Sequence, residues 1–205
     1  MKPRTTAKIF NTIILIAEAV CLVAMLWNKN FGSLEMYTVL SNYLALIASA
    51  VYLINPERRI SQLLRYTATV CLTVTFIVVI FVFIPMTILA GQLAEGVQGM
   101  LLRGNMPVHH ILCPILSFIS FILFEKHSSL TTRDSITAAI PTLLYAIVTG
   151  ALNILNVMEG PYPFLYVYRQ PWYVSVMWFL AIPSGAYLVA RVVLKIQNRY
   201  SKTYN

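Results

Sequence analysis

Charge is scarce in this chain. Asp, Glu, Lys and Arg together make 11% of its 205 residues, and hydrophobic residues make 59%. A soluble domain carries about 25% charged residues, so a soluble globular fold is excluded. Nucleic-acid binding goes with it, because that requires a basic folded surface and no soluble segment is left to carry one. Cysteine is equally thin. Cys21, Cys71 and Cys113 all fall inside apolar runs and form no C-x-x-C pair, so they read as packing residues rather than a disulfide framework. There is no H-E-x-x-H, no G-x-S-x-G and no P-loop, which removes the zinc peptidase, the serine nucleophile elbow and the nucleotide enzyme. Alternating ten-residue segments are absent, and with them a membrane β-barrel.

What the chain has is apolar runs. Six of them cover roughly 8–28, 34–54, 63–90, 107–124, 135–154 and 172–191. Each is long enough for a helix to cross about 30 Å of hydrocarbon. Lipid cannot pair a bare backbone, so the runs must be helical. The expected fold is an all-α, single-domain, six-helix membrane bundle. The first run is longer than a signal-peptide core and is read as retained.

Basic residues mark alternate gaps. Lys2, Arg4 and Lys8 precede the first run; Arg58, Arg59 and Arg65 fill the second gap; Lys126 and Arg133 the fourth; Arg191, Lys195, Arg199 and Lys202 the tail. The other gaps hold only Lys29, Arg103 and Arg169. Basic loops stay cytoplasmic, so both termini are expected inside. The net charge of +8 is then a topology signal, in contact with anionic lipid heads.

Two connections exceed what a turn needs, Gly91–Met106 and Leu155–Pro171. Both are expected outside. The second is crowded with Pro and aromatics, Tyr162 and Tyr166 among them. It reads either as an interfacial aromatic belt or as a lid over a site.

Polar groups inside the runs need reasons. Glu18 lies midway along the first, as a hydrogen-bonded structural acid, a proton-handling group or a partner that orients a histidine. Thr38, Ser41 and Asn42 sit near the outer end of the second, with Thr38 and Asn42 on one helix face. Threonine back-bonding and interhelical glue explain them without chemistry. His109 and His110 follow Pro107, which suits a first helical turn. They enter from the same side as Thr38 and lie at nearly its depth. A hydroxyl and an imidazole at one depth can form a nucleophile–base pair; interfacial histidines bonded to water are the plainer reading. His109 and His110 point about 100° apart on a helix, and His127 lies about 25 Å along it. A histidine metal site is therefore not expected, and no cofactor is called for. Pro85, Pro114, Pro141 and Pro183 interrupt runs singly, without the paired broken helices of inverted-repeat transporters.

Three segments resemble one family. Met36-Tyr-Thr-Val-Leu-Ser-Asn-Tyr43, Val108-His-His-Ile-Leu-Cys-Pro-Ile115 and Tyr162-Pro-Phe-Leu165 are similar, in order and interval, to segments of the androgen-induced membrane proteins and their bacterial relatives. Members of that family are transmembrane threonine hydrolases of fatty acid esters of hydroxy fatty acids. The resemblance covers most of the chain. It implies Thr38 as nucleophile and a histidine as base: spacing to Pro114 favours His110 in the bacterial pattern and His109 in the animal one. It also implies a bacterial cell membrane as the location. The animal pattern has an acid near the threonine, where this chain has Ser41 and Asn42.

The expected function is hydrolysis of a lipid acyl ester. Asn42, Ser41, Tyr162 and Tyr166 are the candidates for positioning substrate or oxyanion, with Glu18 as intramembrane support. The expected partners are membrane lipids or the ester itself, and the sequence carries no sign of an oligomeric state. The alternatives are a non-catalytic lipid-binding protein and a small transporter with Glu18 as its proton site.

Overall fold

The computed structural model describes residues 3–125 and 130–204. Lys2, Lys126 and His127 lie outside the described residues, as does the side chain of Lys202. Among the described residues there is no strand. Five helices are long and apolar enough to cross a membrane: α1 (Pro3–Trp27), α2 (Tyr37–Ile54), α3 (Arg59–Leu89), α5 (Asp134–Ile154) and α6, apolar over Trp172–Ser201 and running to Tyr204. The apolar helix between α3 and α5, α4 (Val108–Phe124), is shorter.

α3 runs through the middle, packed by α2, α4, α5 and α6; α1 closes against α2 and α4, and α5 pairs with α6. The close α1–α2–α3 approach rests on small side chains, Ala45, Ala48 and Ala68 around Ile14, since without bulky groups backbones can approach and pack by dispersion. Ile16, Val20, Val23, Leu144, Val148 and Leu180 are exposed, whereas Asn11, Glu18, Asn42, Arg65 and Thr69 are fully buried. This inversion of a soluble protein is what a lipid solvent selects, because polar groups must face the bundle.

Two prolines reshape their helices. Pro85 and Pro114 each follow a π turn, Val79–Phe83 and Val108–Leu112. Proline lacks an N–H and collides with the carbonyl four residues back, and widening the preceding turn is one way to absorb both defects. Pro141 and Pro183 lie inside α5 and α6 with no such turn.

The helix ends depart from the hydropathy limits where polarity and helicity part company. The last apolar run was expected to stop at 191, but α6 continues through Lys195 and Arg199. Arg65 was counted as a gap charge. It lies inside α3, fully buried against Glu125, and so carries no topology signal. The Gly91–Met106 connection holds a short helix, Leu93–Val97, and a π turn, Gln98–Leu102.

The Leu155–Pro171 connection folds into the bundle rather than lying wholly at a surface. Gly160 adopts φ +90°, and a Cβ there would meet the Asn153 amide nitrogen at 2.6 Å. That turn, open to glycine alone at low cost, directs the chain inward. Tyr162 arrives 8% exposed, stacked with Phe83 and Phe164. Tyr168 remains 67% exposed, so the belt reading survives only for the outer part of this connection.

Candidate functional site

The three connections that follow α1, α3 and α5 meet at one end of the bundle. Asn105 Nδ2 donates to the Cys21 carbonyl, Tyr145 Oη to the Glu35 carbonyl, and the Thr38 N–H to Tyr162 Oη at 3.3 Å. The last contact has a local cause. Thr38 is the second residue of α2, in the first turn after Met36, where backbone N–H groups have no intrahelical acceptor. The Tyr162 oxygen accepts that N–H, so the phenol proton is left to donate elsewhere. Burial pushes the Tyr162 phenol above the ordinary tyrosine value, with the Thr38 groups beside it pulling the other way; it stays an O–H donor.

Thr38 stands where two cavities meet. One, of about 400 Å³, is lined by Thr38, His110, Tyr162, Met100, Met106 and Gln92 among others. The other, about 390 Å³, runs between α2, α3, α5 and α6 and is lined by Val74, Val78, Ala146, Phe164, Phe179 and Ile182, with Thr38, Tyr162 and Phe83 shared by both. Its walls are almost wholly apolar side chains. The exceptions include Tyr37 and Thr142, which hydrogen-bond each other at 2.7 Å.

His110 reaches the first cavity from the π turn of α4. Its Nδ1 lies 2.5 Å from the Met100 carbonyl. A carbonyl only accepts, so Nδ1 carries the proton and Nε2 is left as the basic nitrogen. His109, one residue earlier, turns away from both cavities toward α1, where its Nε2 lies 3.2 Å from Glu18 Oε2. The structure thus gives the two histidines different neighbours: His110 shares a cavity with Thr38, and His109 shares a buried pocket of side chains with Glu18.

The remaining candidates divide in the same way. Asn42 Nδ2 donates to the Thr38 carbonyl at 2.6 Å and to the His109 carbonyl at 3.1 Å. Both amide protons are therefore committed, one within α2 and one fastening α2 to α4. Ser41 Oγ donates to the Thr38 carbonyl at 2.9 Å and meets Thr75 Oγ1 at 3.0 Å. Neither lines a Thr38 cavity; they hold the first turn of α2 from behind. Tyr166 lies apart, lining a separate cavity with Glu159 and Arg169. Met100, which orients His110, and the Tyr37–Thr142 pair carried no sequence signal, since a backbone carbonyl and two ordinary helix residues have none.

A second polar cluster also escaped the sequence. Glu125 receives Arg65 Nε at 3.1 Å and Nη2 at 3.0 Å, Asn11 Nδ2 at 2.9 Å and Ser120 Oγ at 2.7 Å, all on Oε1. Ser117 joins Arg65 to Thr69. The network ties α1, α3 and α4 at the end away from Thr38.

No family model matches the chain, and no curated protein or solved structure matches it.

Proposed function

We propose that this protein is an integral membrane lipid-ester hydrolase with Thr38 as nucleophile and His110 as base. The observation that carries the reading is the position of Thr38 at the junction of an almost wholly apolar cavity and a second, mostly apolar one that also presents His110, Thr87 and Gln92. A mostly apolar pocket with a few convergent polar groups is the usual form of a small-molecule site. The apolar cavity suits an acyl chain; the other suits the ester and its alcohol.

In this mechanism Thr38 Oγ1 attacks the ester carbonyl carbon while His110 Nε2 takes the hydroxyl proton. The Tyr162 O–H donates to the developing oxyanion, a role that depends on a preorganised donor. Collapse expels the alcohol, which receives the proton from His110, and leaves an acyl-threonine ester. Water, deprotonated by the same imidazole, then releases the acid and restores Thr38. Fatty acid esters of hydroxy fatty acids, or similar acyl esters, are the proposed substrates. The proposal includes α4 as a sixth span, both termini in the cytoplasm, Thr38 near the outer face and a cell-membrane location, from the charge distribution.

The test is labelling of purified protein in detergent with a fluorophosphonate, followed by mass spectrometry. Label on Thr38 that disappears in His110→Ala, with helicity and monodispersity retained, is the expected result. A folded protein that takes no label overturns it. The apolar cavity alone favours one other reading, a non-catalytic lipid carrier, for which Thr38→Ala leaves lipid binding intact and no acyl adduct ever forms.

A further inference from the structure

Between α1 and α4 the bundle encloses a set of reactive groups that the hydrolase reading does not use. Glu18 and Cys21 are three residues apart and share a face of α1. His109 comes from the π turn that opens α4. Their ligand atoms all lie within 4.8 Å of one another, and all three residues are buried. Cys113, four residues after His109, lies near the Glu18 carboxylate. Neither carboxylate oxygen of Glu18 has a hydrogen-bond partner, and neither has Nε2 of His109: the two groups are close, but the ring N–H is not aimed along the contact. Buried polar groups without partners are strongly unfavourable and rare.

We propose that Glu18, Cys21 and His109 bind one divalent transition-metal ion of the zinc class, with the fourth position open. Carboxylate oxygen, thiolate sulfur and imidazole nitrogen are the donors such an ion takes. Bond lengths of about 2.0–2.3 Å around a tetrahedral ion place its ligands about 3.3–3.8 Å apart. The Glu18–His109 separation of 3.2 Å is already near that edge, and the remaining separations need only a small contraction from within 4.8 Å. The charges also fit a low-dielectric setting. A dication against one carboxylate and one thiolate is neutral, and the imidazole contributes no charge. Binding would displace the thiol proton of Cys21 to solvent, as metal binding by protonated ligands does.

The surroundings hold the ligands in place. Asn42 fixes the His109 carbonyl at 3.1 Å, and the Tyr43 ring stands edge-on to the imidazole. None of Glu18, Cys21 and His109 lines a cavity that Thr38 lines. The ion therefore sits away from the ester and clamps α1 to α4, one residue before His110. This site stands whether or not Thr38 is a nucleophile.

Full-length protein in detergent, stripped of metal and titrated with Co²⁺, provides the test. A tetrahedral thiolate site gives a near-ultraviolet sulfur-to-cobalt band with visible d–d bands. Both are expected in the wild type and in Thr38→Ala, and both are expected to be lost in the Cys21→Ser/His109→Gln double variant. Zn²⁺ should displace the cobalt and raise the thermal midpoint of the wild type but not of the double variant, because a ligand for the folded state stabilises it. Absence of the sulfur-to-cobalt band in folded wild type overturns the site. So does a band that persists in the double variant, which would place the ion elsewhere. If Glu18→Gln shifts the thermal midpoint of a wild type that binds no cobalt, Glu18 and His109 share a proton instead, and the proposal fails.

Discussion

Glu125 and Glu18 are both buried in this bundle, and they are treated in opposite ways. Glu125 is wrapped by a guanidinium, an amide and a hydroxyl. Glu18 is as deeply buried, yet neither of its oxygens has a hydrogen bond. The first arrangement neutralises and solvates a charge with protein groups and fastens three helices. The second leaves ligating atoms exposed to one another. Structural acids in a low dielectric are surrounded by donors; an acid left without them is available for other chemistry. The same contrast separates the two ends of the molecule, since the Thr38 end holds the two cavities and the Arg65 end holds a bonded network.

The sharpest way to break the comparison is to remove one partner of the satisfied acid. Arg65→Met should cost about 3–5 kcal/mol, because it strands a buried carboxylate. Thermal and denaturant unfolding in detergent measure it, and Arg65→Met/Glu125→Leu should recover most of the loss. If the single and double variants are equally unstable, the network acts by packing rather than charge. Next is Tyr162→Phe, which keeps the aromatic stack and removes one O–H. If that group serves the oxyanion, turnover should fall by about 10²–10³ with little change in melting temperature; an unchanged rate would leave Tyr162 as packing alone. Gly160→Ala should cost about 1–3 kcal/mol, the scale of strain for a side chain in that backbone region, and should loosen Tyr162 from Thr38. Increased proteolysis within the 155–171 connection would report it. Smallest is Tyr37→Phe, which loses one neutral hydrogen bond to Thr142 and should cost about 1 kcal/mol; a melt of the variant against wild type checks this.

Hydropathy was enough to find the helices, because a lipid-facing surface must be apolar and a long apolar run has few other uses. It misplaced their ends wherever a helix outlasts its apolar stretch, as α6 does through Lys195 and Arg199. It also read Arg65 as a loop charge. A basic residue beside an apolar run has the same pattern whether it faces water or Glu125, and only the partner distinguishes the two. At the site, depth along the membrane axis suggested Thr38 and the histidines together. What depth does not contain is rotation about each helix. Rotation decides that His110 shares a cavity with Thr38, that His109 meets Glu18 and that Asn42 faces backbone. The hint of the α1 cluster in the sequence was Glu18 as a partner that orients a histidine, while Cys21 read as packing. The other half of that cluster lies about ninety residues away along the chain.

The π turn at Val108–Leu112 has a consequence for how this segment can vary in length. Such a turn holds one residue more than an α turn. Delete a single residue there and the turn can close into regular α form with the flanking helix in register, whereas a deletion in regular helix swings everything before it by about 100° relative to everything after it. What a deletion in the π turn removes is the widened turn that sends His109 to α1 and His110 to the Thr38 cavity. A single-codon deletion scan across 104–116 should therefore show stable expression best preserved at the π turn, with the placement of the two histidines lost.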